Sequence, residues 1–280
     1  MFPYVIQVEY EADNIVLDLL DLAKTDHNLI SIIGDLVFGK CEEVIDSQPV
    51  TFTTPESYVA LSRWDLSRNT GTIKFQFRTT ESNGLILYNS GSYKSNNYDF
   101  FAMEIIDGDF YLVMNLGTGS IKEKVSRTYV DDGMPHKVFF QYSGKSGLIR
   151  VDSHEIEYLT PGMGTKLDLD DLFYIGGLDF DRYNAYRLPK ELWSGMMKKG
   201  FVGCIQDLIL NNNKIDLMTV ARKQAQRDVR PECREIEDQC ASQPCLHRGL
   251  CKEGWNRYIC DCRNTSYSGK NCEHGKRYGG

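Results

Sequence analysis

Six closely spaced cysteines are the residues whose type and spacing most directly suggest chemistry. They are Cys240, Cys245, Cys251, Cys260, Cys262 and Cys272, separated by four, five, eight, one and nine residues. Cysteines this dense in a short segment either form disulfides in an oxidising compartment or bind zinc. The spacing lacks the paired C-x-x-C knuckles of zinc modules and therefore favours disulfides, but it does not determine which cysteines pair. A segment this short has too little core to fold unaided, so crosslinks would supply its stability.

The other three of the nine cysteines precede this group. Cys204 and Cys233 flank a short apolar strand, a polar turn and an Ile-x-Leu sequence, and they can close a loop between them. The beginning of the chain repeats that order and reaches Cys41, but Tyr4 stands where the upstream cysteine would be. We therefore predict a Cys204–Cys233 disulfide and an unpaired Cys41, left by a severed or substituted disulfide. A coincidental similarity between two polar turns is the alternative.

A lone carboxylate, Asp99, closes one face of a predicted β-hairpin. Two apolar-rich runs flank Asp107-Gly108, a dipeptide typical of a two-residue hairpin turn. Pairing through that turn predicts the opposite pairs Ile106 with Asp109, Ile105 with Phe110, Met103 with Leu112 and Phe101 with Met114. One step further out, Asp99 faces Leu116. An aspartate at the end of an apolar face is either a metal ligand or a rim carboxylate satisfied by backbone amides or solvent.

The elements that must position these residues are β-strands. The chain contains 24 Gly, 16 Tyr and 13 Phe, with alternating Val, Ile and Phe runs that favour β-structure. Besides the hairpin, strand candidates separated by turn residues are 58–61, 71–78, 84–88, 121–125, 137–142, 148–151, 172–175 and 204–210. Only 189–196 is a convincing helix, and it is short. The pattern predicts one antiparallel sandwich over residues 48–233.

The composition excludes some classes of function. A net charge of −7 and a pI near 5.3 argue against a nucleic-acid-binding or polyanion-binding surface. No uninterrupted apolar run is long enough to span a bilayer, and the first residues lack a basic segment followed by an apolar one. Because dense cysteines indicate secretion, we expect the sequence to be a fragment or an incomplete gene model of an extracellular protein.

Catalysis is not indicated. The five histidines, His27, His136, His154, His247 and His274, are scattered, and none lies in a G-x-S-x-G or H-E-x-x-H motif. No Gly-rich phosphate loop occurs in the sequence. We predict that the protein is not an enzyme. A hydrolase on a jelly-roll scaffold is the least favoured hypothesis, because no carboxylate pair stands at a defined spacing.

The six-cysteine segment resembles an EGF-like module, with Tyr258 two residues before Cys260 and Tyr267-Ser-Gly in the last loop. The resemblance implies a module over residues 236–273, followed by a tail at 274–280. It also implies that the first cysteine pairs with the third, the second with the fourth and the fifth with the sixth. The implied disulfides are Cys240–Cys251, Cys245–Cys260 and Cys262–Cys272.

Two further features of this module bear on ligands. Calcium-binding EGF modules carry Asp or Asn where this sequence has Glu253, and their preceding acids have a different spacing, so we do not expect calcium in this module. Asn264-Thr-Ser matches the N-glycosylation rule, and it lies in a loop between cysteines, where an attached glycan can be accommodated at the surface. Asn264 is therefore a candidate glycosylation site.

The larger domain resembles the laminin G-like, or LNS, family. The resemblance is carried by Val50-Thr-Phe-Thr-Thr-Pro-Glu-Ser-Tyr, Phe77-Arg-Thr-Thr-Glu-Ser-Asn-Gly-Leu-Ile-Leu, Asp99-Phe-Phe-Ala-Met-Glu and Gly200-Phe-Val-Gly-Cys-Ile. Together these motifs look like the third LNS domain of the α-neurexins, and Trp255-Asn-Arg-Tyr-Ile-Cys-Asp-Cys continues the match. Residues 1–42 then resemble the tail of a preceding, truncated LNS domain. The resemblance implies an all-β jelly-roll sandwich at 48–233 followed by a disulfide-rich EGF-like module.

LNS domains often bind one calcium ion at the rim of the sheet, with an aspartate carboxylate and backbone carbonyls. The resemblance assigns these roles to Asp99, to the Leu116 carbonyl and to the Lys166 carbonyl. One carboxylate plus carbonyls would make a low-affinity Ca²⁺ site. The Lys166 side chain brings a cation close to the metal position and disfavours binding.

The resemblance implies cell adhesion at the synapse, on the extracellular face of the cell membrane. Partners would be extracellular or cell-surface proteins of an opposing membrane, neuroligin-like or other synaptic ligands. The alternative is a secreted glycan-binding lectin module of the laminin G-like kind. It would need a basic rim or a competent calcium site to hold anionic sugars. The net negative charge of the chain argues against a basic rim.

Overall fold

The computed structural model describes residues 9–12, 15–18, 22–23, 48–62, 69–91, 98–169, 172–181, 188–233, 238–254 and 258–275. Met1–Ile45 and Asp46–Gly280 form two compact units. Tyr4 and Cys41, the residues behind the predicted unpaired cysteine, lie outside the described residues.

The first unit contains an antiparallel pair. Strand β1 (Glu9–Ala12) pairs with β2 (Ile15–Asp18), and helical residues follow at Leu22 and Ala23. In the second unit, the repeated stretch has the same order: Gly203–Leu210 pairs with Asn213–Lys214, and the helix Leu217–Lys223 follows. The prediction that residues 1–42 are the tail of another LNS domain stays a prediction.

The second unit contains two antiparallel sheets that form a sandwich, so the predicted all-β jelly-roll class is confirmed. One sheet has the order β12 (His154–Leu159), β11 (Ser146–Val151), β10 (His136–Ser143), β5 (Thr70–Arg78), β14 (Gly203–Leu210), β3 (Val50–Phe52) and β16 (Val229–Pro231), with β15 (Asn213–Lys214) beside β14. The other has the order β4 (Val59–Leu61), β13 (Phe173–Ile175), β6 (Gly84–Ser90), β7 (Phe100–Ile106), β8 (Asp109–Asn115) and β9 (Ser120–Lys124).

The core lies between the inner faces of the two sheets. Strand β5 alternates buried and partly exposed residues, as expected for a strand with one face in the core. Phe101 of one sheet packs against Phe140 of the other, with ring centroids 4.9 Å apart, and both side chains are fully buried. Each such side chain contributes about 2 kcal/mol through burial, so the interleaved aromatic residues hold the sheets together.

The hairpin of β7 and β8 has the predicted register. Its paired residues include Ile106 with Asp109, Ile105 with Phe110, Met103 with Leu112 and Phe101 with Met114. Asp107 (φ 50°) and Gly108 (φ 84°) form the turn, with the positive φ angles that a two-residue turn of this kind requires. The register prediction is confirmed.

A second apolar layer covers the outer face of the six-stranded sheet. Tyr88, Phe100 and Ala102 of that face pack with Leu188 and Leu192, which lie in the segment that follows β13. That segment contains helix α1 (Trp193–Met196), so the predicted helix 189–196 exists but begins four residues later.

A fully buried carboxylate, Glu104 of β7, holds this segment in place. It accepts hydrogen bonds from the Ser194 amide at 2.7 Å and the Trp193 amide at 3.3 Å. The Nζ atom of Lys122 on β9 forms an ion pair with it at 2.9 Å. A buried charge requires such partners, and here they join β7, β9 and α1.

Several described elements differ from the sequence predictions, among them the short strands β3, β15 and β16, which were not predicted. Helix α2 (Leu217–Lys223) was not predicted, although Asp216 supplies an N-cap by accepting from the Thr219 amide at 3.0 Å. Strand β12 was also missed, because His154–Leu159 mixes exposed charges with apolar residues at an edge of the sheet. The statement that 189–196 is the only helix is therefore wrong.

The cysteine-rich segment consists of short paired strands. Strand β17 (Leu250–Glu253) pairs with β18 (Tyr258–Asp261), and β19 (Tyr267–Ser268) pairs with β20 (His274–Gly275). A 3₁₀ turn, Gln239–Ser242, precedes them. Little apolar surface is buried among these strands, which is why the segment needs crosslinks.

Glu104→Ala should lower the free energy of unfolding of the second unit by about 3 kcal/mol, because it leaves two amides and Lys122 without their buried acceptor. Glu104→Gln should cost less, since an amide oxygen still accepts from the Ser194 amide. Urea unfolding followed by far-UV circular dichroism measures both. Glu123→Ala, at an exposed position on β9, is the control and should change stability by no more than about 0.5 kcal/mol. A value for Glu104→Ala as small as the control would contradict the assigned role.

Candidate functional site

The predicted rim site lies at the open end of the β7–β8 hairpin. Asp99 directly precedes β7, and its carbonyl accepts from the Gly91 amide at 2.8 Å, which extends the ladder between β6 and β7. Leu116 directly follows β8. The register therefore places Asp99 and Leu116 opposite each other, one position beyond the pair Phe100 and Asn115.

A third segment, residues 164–168, closes this corner of the sandwich. The Asp168 amide donates to Asp99 Oδ2 at 2.7 Å. Gly164 lies against the backbone of Leu116: a Cβ atom added at Gly164 would be only 2.3 Å from the Leu116 carbonyl oxygen. Only a glycine fits at this position. In the sequence, Lys166 lies between the contact residues Gly164 and Asp168, and it is exposed. The structure thus brings all three predicted site residues to one corner.

The environment of Asp99 disfavours its anionic form. Burial raises the pKa of the Asp99 carboxyl, the Asp168 amide opposes that change, and the nearby Asp168 carboxylate adds to it. Burial also raises the pKa of Tyr142 to about 12, the Leu167 amide opposes that change, and the charges of Asp99 and Asp168 add to it. A cation at this corner would offset the desolvation of Asp99.

The donor set fits calcium only weakly. Calcium takes six to eight oxygens at about 2.3–2.6 Å. Asp99 can offer Oδ1, since among the described residues only Oδ2 accepts a hydrogen bond. No cluster of three or more His, Cys, Asp or Glu side chains suited to a metal occurs in the described part of the chain. Backbone carbonyls and water would have to supply the remaining ligands, which agrees with the expected low affinity.

Sequence reasoning missed two contributors to this corner, Asp168 and Gly164. In the sequence, Asp168 begins an acidic run, and the structure shows that Asp168 contributes its backbone amide to this corner. Asp170 and Asp171 of the same run lie outside the described residues. A glycine in the stretch Pro161-Gly-Met-Gly was visible, but only the fold shows that its lack of a side chain lets it approach Leu116.

Four disulfides are present among the described residues. They are Cys204–Cys233, Cys240–Cys251, Cys245–Cys260 and Cys262–Cys272. The first is the pair that the sequence suggested, and the other three are the pairs that the EGF-like resemblance implies. Their Cα–Cα separations of 5.4 to 5.9 Å are ordinary for disulfides.

In the cysteine-rich module, Glu253 has a structural role. Its two carboxylate oxygens accept from the amides of Gln239 at 2.7 Å and Cys240 at 2.8 Å. Asn264 is exposed in the loop between Cys262 and Cys272, and Thr265 Oγ1 donates to the Cys262 carbonyl at 2.8 Å. The acceptor asparagine is therefore accessible, and its glycosylation stays a prediction.

Two of the described histidines, His136 and His247, have structural contacts. His136 lies between Asp152, with Nδ1 2.7 Å from Oδ2, and Asp132, with Nε2 3.0 Å from Oδ1. His247 stacks on Tyr267 at a centroid distance of 3.6 Å. Neither arrangement places a serine or cysteine nucleophile beside an imidazole.

Comparisons with known proteins agree with this architecture. The family model for the laminin G domain matches residues 77–213, and the model for the EGF-like domain matches residues 240–271. Neurexin-3a of Danio rerio is 42% identical over 277 residues, and neurexin-2 of Homo sapiens is 42% identical over 276 residues. Each alignment covers 95% of this chain but 16% of the relative, so the chain spans about one sixth of the length of these curated relatives.

Solved structures show the same fold. The LG1-3 region of the laminin α2 chain aligns with a TM-score of 0.58 and 24% identity, covering 69% of this chain and 36% of that chain. Domains LG4-5 of the mouse laminin α1 chain align with a TM-score of 0.52 and 21% identity, covering 65% of this chain and 46% of that chain.

Asp99→Asn should make the protein more stable than the wild type at pH 7 in the presence of a chelator. The folded-state pKa of Asp99 lies above its unfolded value, so the native state binds more protons between the two values. Wild-type stability is therefore lost as pH rises through the folded-state pKa, and Asn avoids that loss while its oxygen still accepts from Asp168. Partial solvent exposure limits the gain to less than about 1 kcal/mol.

Urea unfolding at pH 3, 5 and 7 measures this difference, which should grow with pH. Glu157→Gln removes an exposed carboxylate on β12 and is the matched control, with no such trend expected. Equal differences at all three pH values would contradict the assigned environment of Asp99.

Proposed function

Because this chain is a neurexin homologue that carries a laminin G domain followed by an EGF-like domain, we propose that it is a segment of an extracellular adhesion receptor. The observation that carries the proposal is 42% identity over 95% of the chain, which contains a laminin G match followed by an EGF-like match. Laminin G and EGF-like domains are adhesion modules without enzymatic activity, so the chain is not an enzyme.

An extracellular location is supported by the disulfides. Four of them staple the second unit, and such bonds persist in oxidising compartments and are rare in reducing ones. Within the part of the chain that the structure describes, no helix has the length and apolar character to cross a membrane. We place the chain on the extracellular face of a cell membrane, at the synapse by its likeness to neurexins.

The laminin G sandwich is the surface through which the segment would bind. We propose that its partners are proteins displayed on an opposing membrane, neuroligin-like or other synaptic ligands. The net charge of −7 favours protein partners over anionic sugars, which would be repelled at long range. The glycan-binding lectin module is the competing function, and it depends on a cation at the Asp99 rim.

Binding assays separate these two functions. The purified chain should bind saturably to the ectodomain of a neuronal surface protein, and enzymatic removal of the glycans from that ectodomain should leave the affinity unchanged. Surface plasmon resonance against a panel of such ectodomains measures this, with a glycan array run in parallel. Binding only to glycans, abolished by a chelator, would overturn the adhesion proposal and favour the lectin module.

Calcium is the proposed ion of the rim, held by Asp99 Oδ1 and by the carbonyls of Leu116 and Lys166. One carboxylate and neutral oxygens give an expected Kd on the order of 10⁻⁴–10⁻³ M, the range of extracellular modules. Isothermal titration calorimetry of the wild type should give heat that Asp99→Asn abolishes and that Glu157→Gln leaves unchanged. Absence of heat in the wild type, or equal heat in Asp99→Asn, would remove the site.

A further inference from the structure

The EGF-like module and the laminin G sandwich meet through charged side chains. We propose that Lys252 and Arg263 of the EGF-like module clamp it onto the turn of the β7–β8 hairpin, and that this joint needs no metal ion. The proposal concerns contacts within the chain and depends on no external partner, so its test is independent of the adhesion proposal.

Arg263 reaches across the joint to three groups of the sandwich. One terminal nitrogen, Nη2, lies 3.2 Å from Asp131 Oδ1, and the other, Nη1, donates to the Asp107 carbonyl at 3.1 Å. The guanidinium also stacks over the ring of Tyr129, with its central carbon 3.7 Å from the centroid. A planar cation with several donors is suited to a carboxylate, a carbonyl and a ring at once, and a lysine would not be.

Arg263 is oriented by its own module before it meets the sandwich. Its Nε donates to Asp261 Oδ1 at 2.9 Å and its Nη2 to Asp261 Oδ2 at 2.7 Å, a bidentate pair. Together with Lys252, this pair holds the pKa of Asp261 well below its usual range. The side chain therefore loses little conformational freedom when the joint forms, which favours a defined geometry.

Lys252 supplies the second cation. Its Nζ lies 3.5 Å from Asp131 Oδ1, 3.2 Å from the Asp131 carbonyl oxygen and 3.2 Å from Asp261 Oδ2. The Asp131 side chain is only 3% exposed and the Lys252 side chain 12%. Asp131 is thus a buried anion of one module that pairs with two cations of the other, and separating the modules would remove both cations from Asp131.

The hairpin turn is shaped to receive this cluster. A Cβ atom at Gly108 would lie 2.5 Å from Arg263 Nη1 and 2.8 Å from Asp131 Oδ1. Gly108 therefore serves both the positive φ angle of the turn and the close approach of the guanidinium. The Val130 amide donates to the Gly108 carbonyl at 2.8 Å, which ties the loop carrying Tyr129 and Asp131 to the turn.

Calcium has no role in this joint. Both oxygens of Glu253 are occupied by the amides of Gln239 and Cys240. Asp131 and Asp261, the carboxylates at the contact, already pair with Arg263 and Lys252. Two side-chain cations occupy the place that a divalent ion would take, so the orientation of the modules should not depend on calcium.

Amide hydrogen exchange and residual dipolar couplings of the whole chain test the clamp by NMR. In the wild type, one alignment tensor should fit the couplings of both modules, with a chelator or with 2 mM calcium. In Asp131→Asn and in Arg263→Ala, the magnitude of the alignment tensor fitted to the EGF-like module should fall by half or more. Exchange at Gly108 and Val130 should become about tenfold faster, as expected for loss of one buried charge contact.

Two variants control for other effects. Arg150→Ala breaks an exposed ion pair with Glu155, at 3.5 Å on β11 and β12, and should change neither readout. Arg263→Lys keeps the charge but loses the stacking and bidentate contacts, so it should give an intermediate loss. Exchange at the paired residues Lys252 and Ile259 reports whether the EGF-like module remains folded.

The two sides of the contact keep the proposal falsifiable. If Arg263→Ala unfolds its own module, Asp131→Asn, which leaves that module untouched, decides the question. A single alignment tensor retained in Asp131→Asn would overturn the clamp. Separate alignment of the modules in chelator, restored by calcium, would overturn the claim that no metal is needed.

Discussion

The antiparallel register of the β7–β8 hairpin is the constraint on which the rest of the second unit depends. A slip of one residue would move Phe101 and Met103 from the core to the outer face and bring Glu104 into the core. The register also defines both ends of the ribbon. The turn at Asp107-Gly108 lies against Arg263, and the open end holds Asp99 opposite Leu116. One local pairing thus positions the core, the outer layer, the candidate rim and the joint with the next module.

Two buried carboxylates fix the parts that attach to this ribbon. Glu104 binds Lys122 and the amides at the start of α1, and Asp131 binds Lys252 and Arg263. Such pairs add little net stability compared with apolar residues, because desolvation offsets the attraction, but breaking one leaves a buried charge. Their contribution is therefore to position: each determines where a segment lies rather than whether the sandwich forms.

Local patterns in the sequence predicted what local physics controls. Asp107-Gly108 determined the register because the turn type leaves one choice of pairing, and the cysteine spacing indicated a crosslinked module. The sequence did not indicate contacts between distant residues, such as the amide of Asp168 at Asp99 or the approach of Arg263 to Asp131. Helix α2 had a visible cap, Asp216 with Thr219, but only seven residues to show a period. Edge strand β12 was hidden by its charged residues, which protect an edge from pairing with other chains.

The two ends of the hairpin are far apart, so the calcium ion proposed for one end would have little effect on the other. Seven residues of β7 separate the Asp99 rim from the turn, a span of about 23 Å. At physiological ionic strength charges are screened over about 8 Å, so an ion at the rim exerts little force on Arg263 or Asp131. At the rim, the Asp168 amide donates to Oδ2 of Asp99, and Oδ1 accepts no hydrogen bond from the described residues. Accepting from an amide and weakly binding a metal are therefore compatible roles for this residue. At the turn, the cations belong to the protein. A calcium ion bound at the rim, as proposed, would therefore leave the orientation of the EGF-like module unchanged.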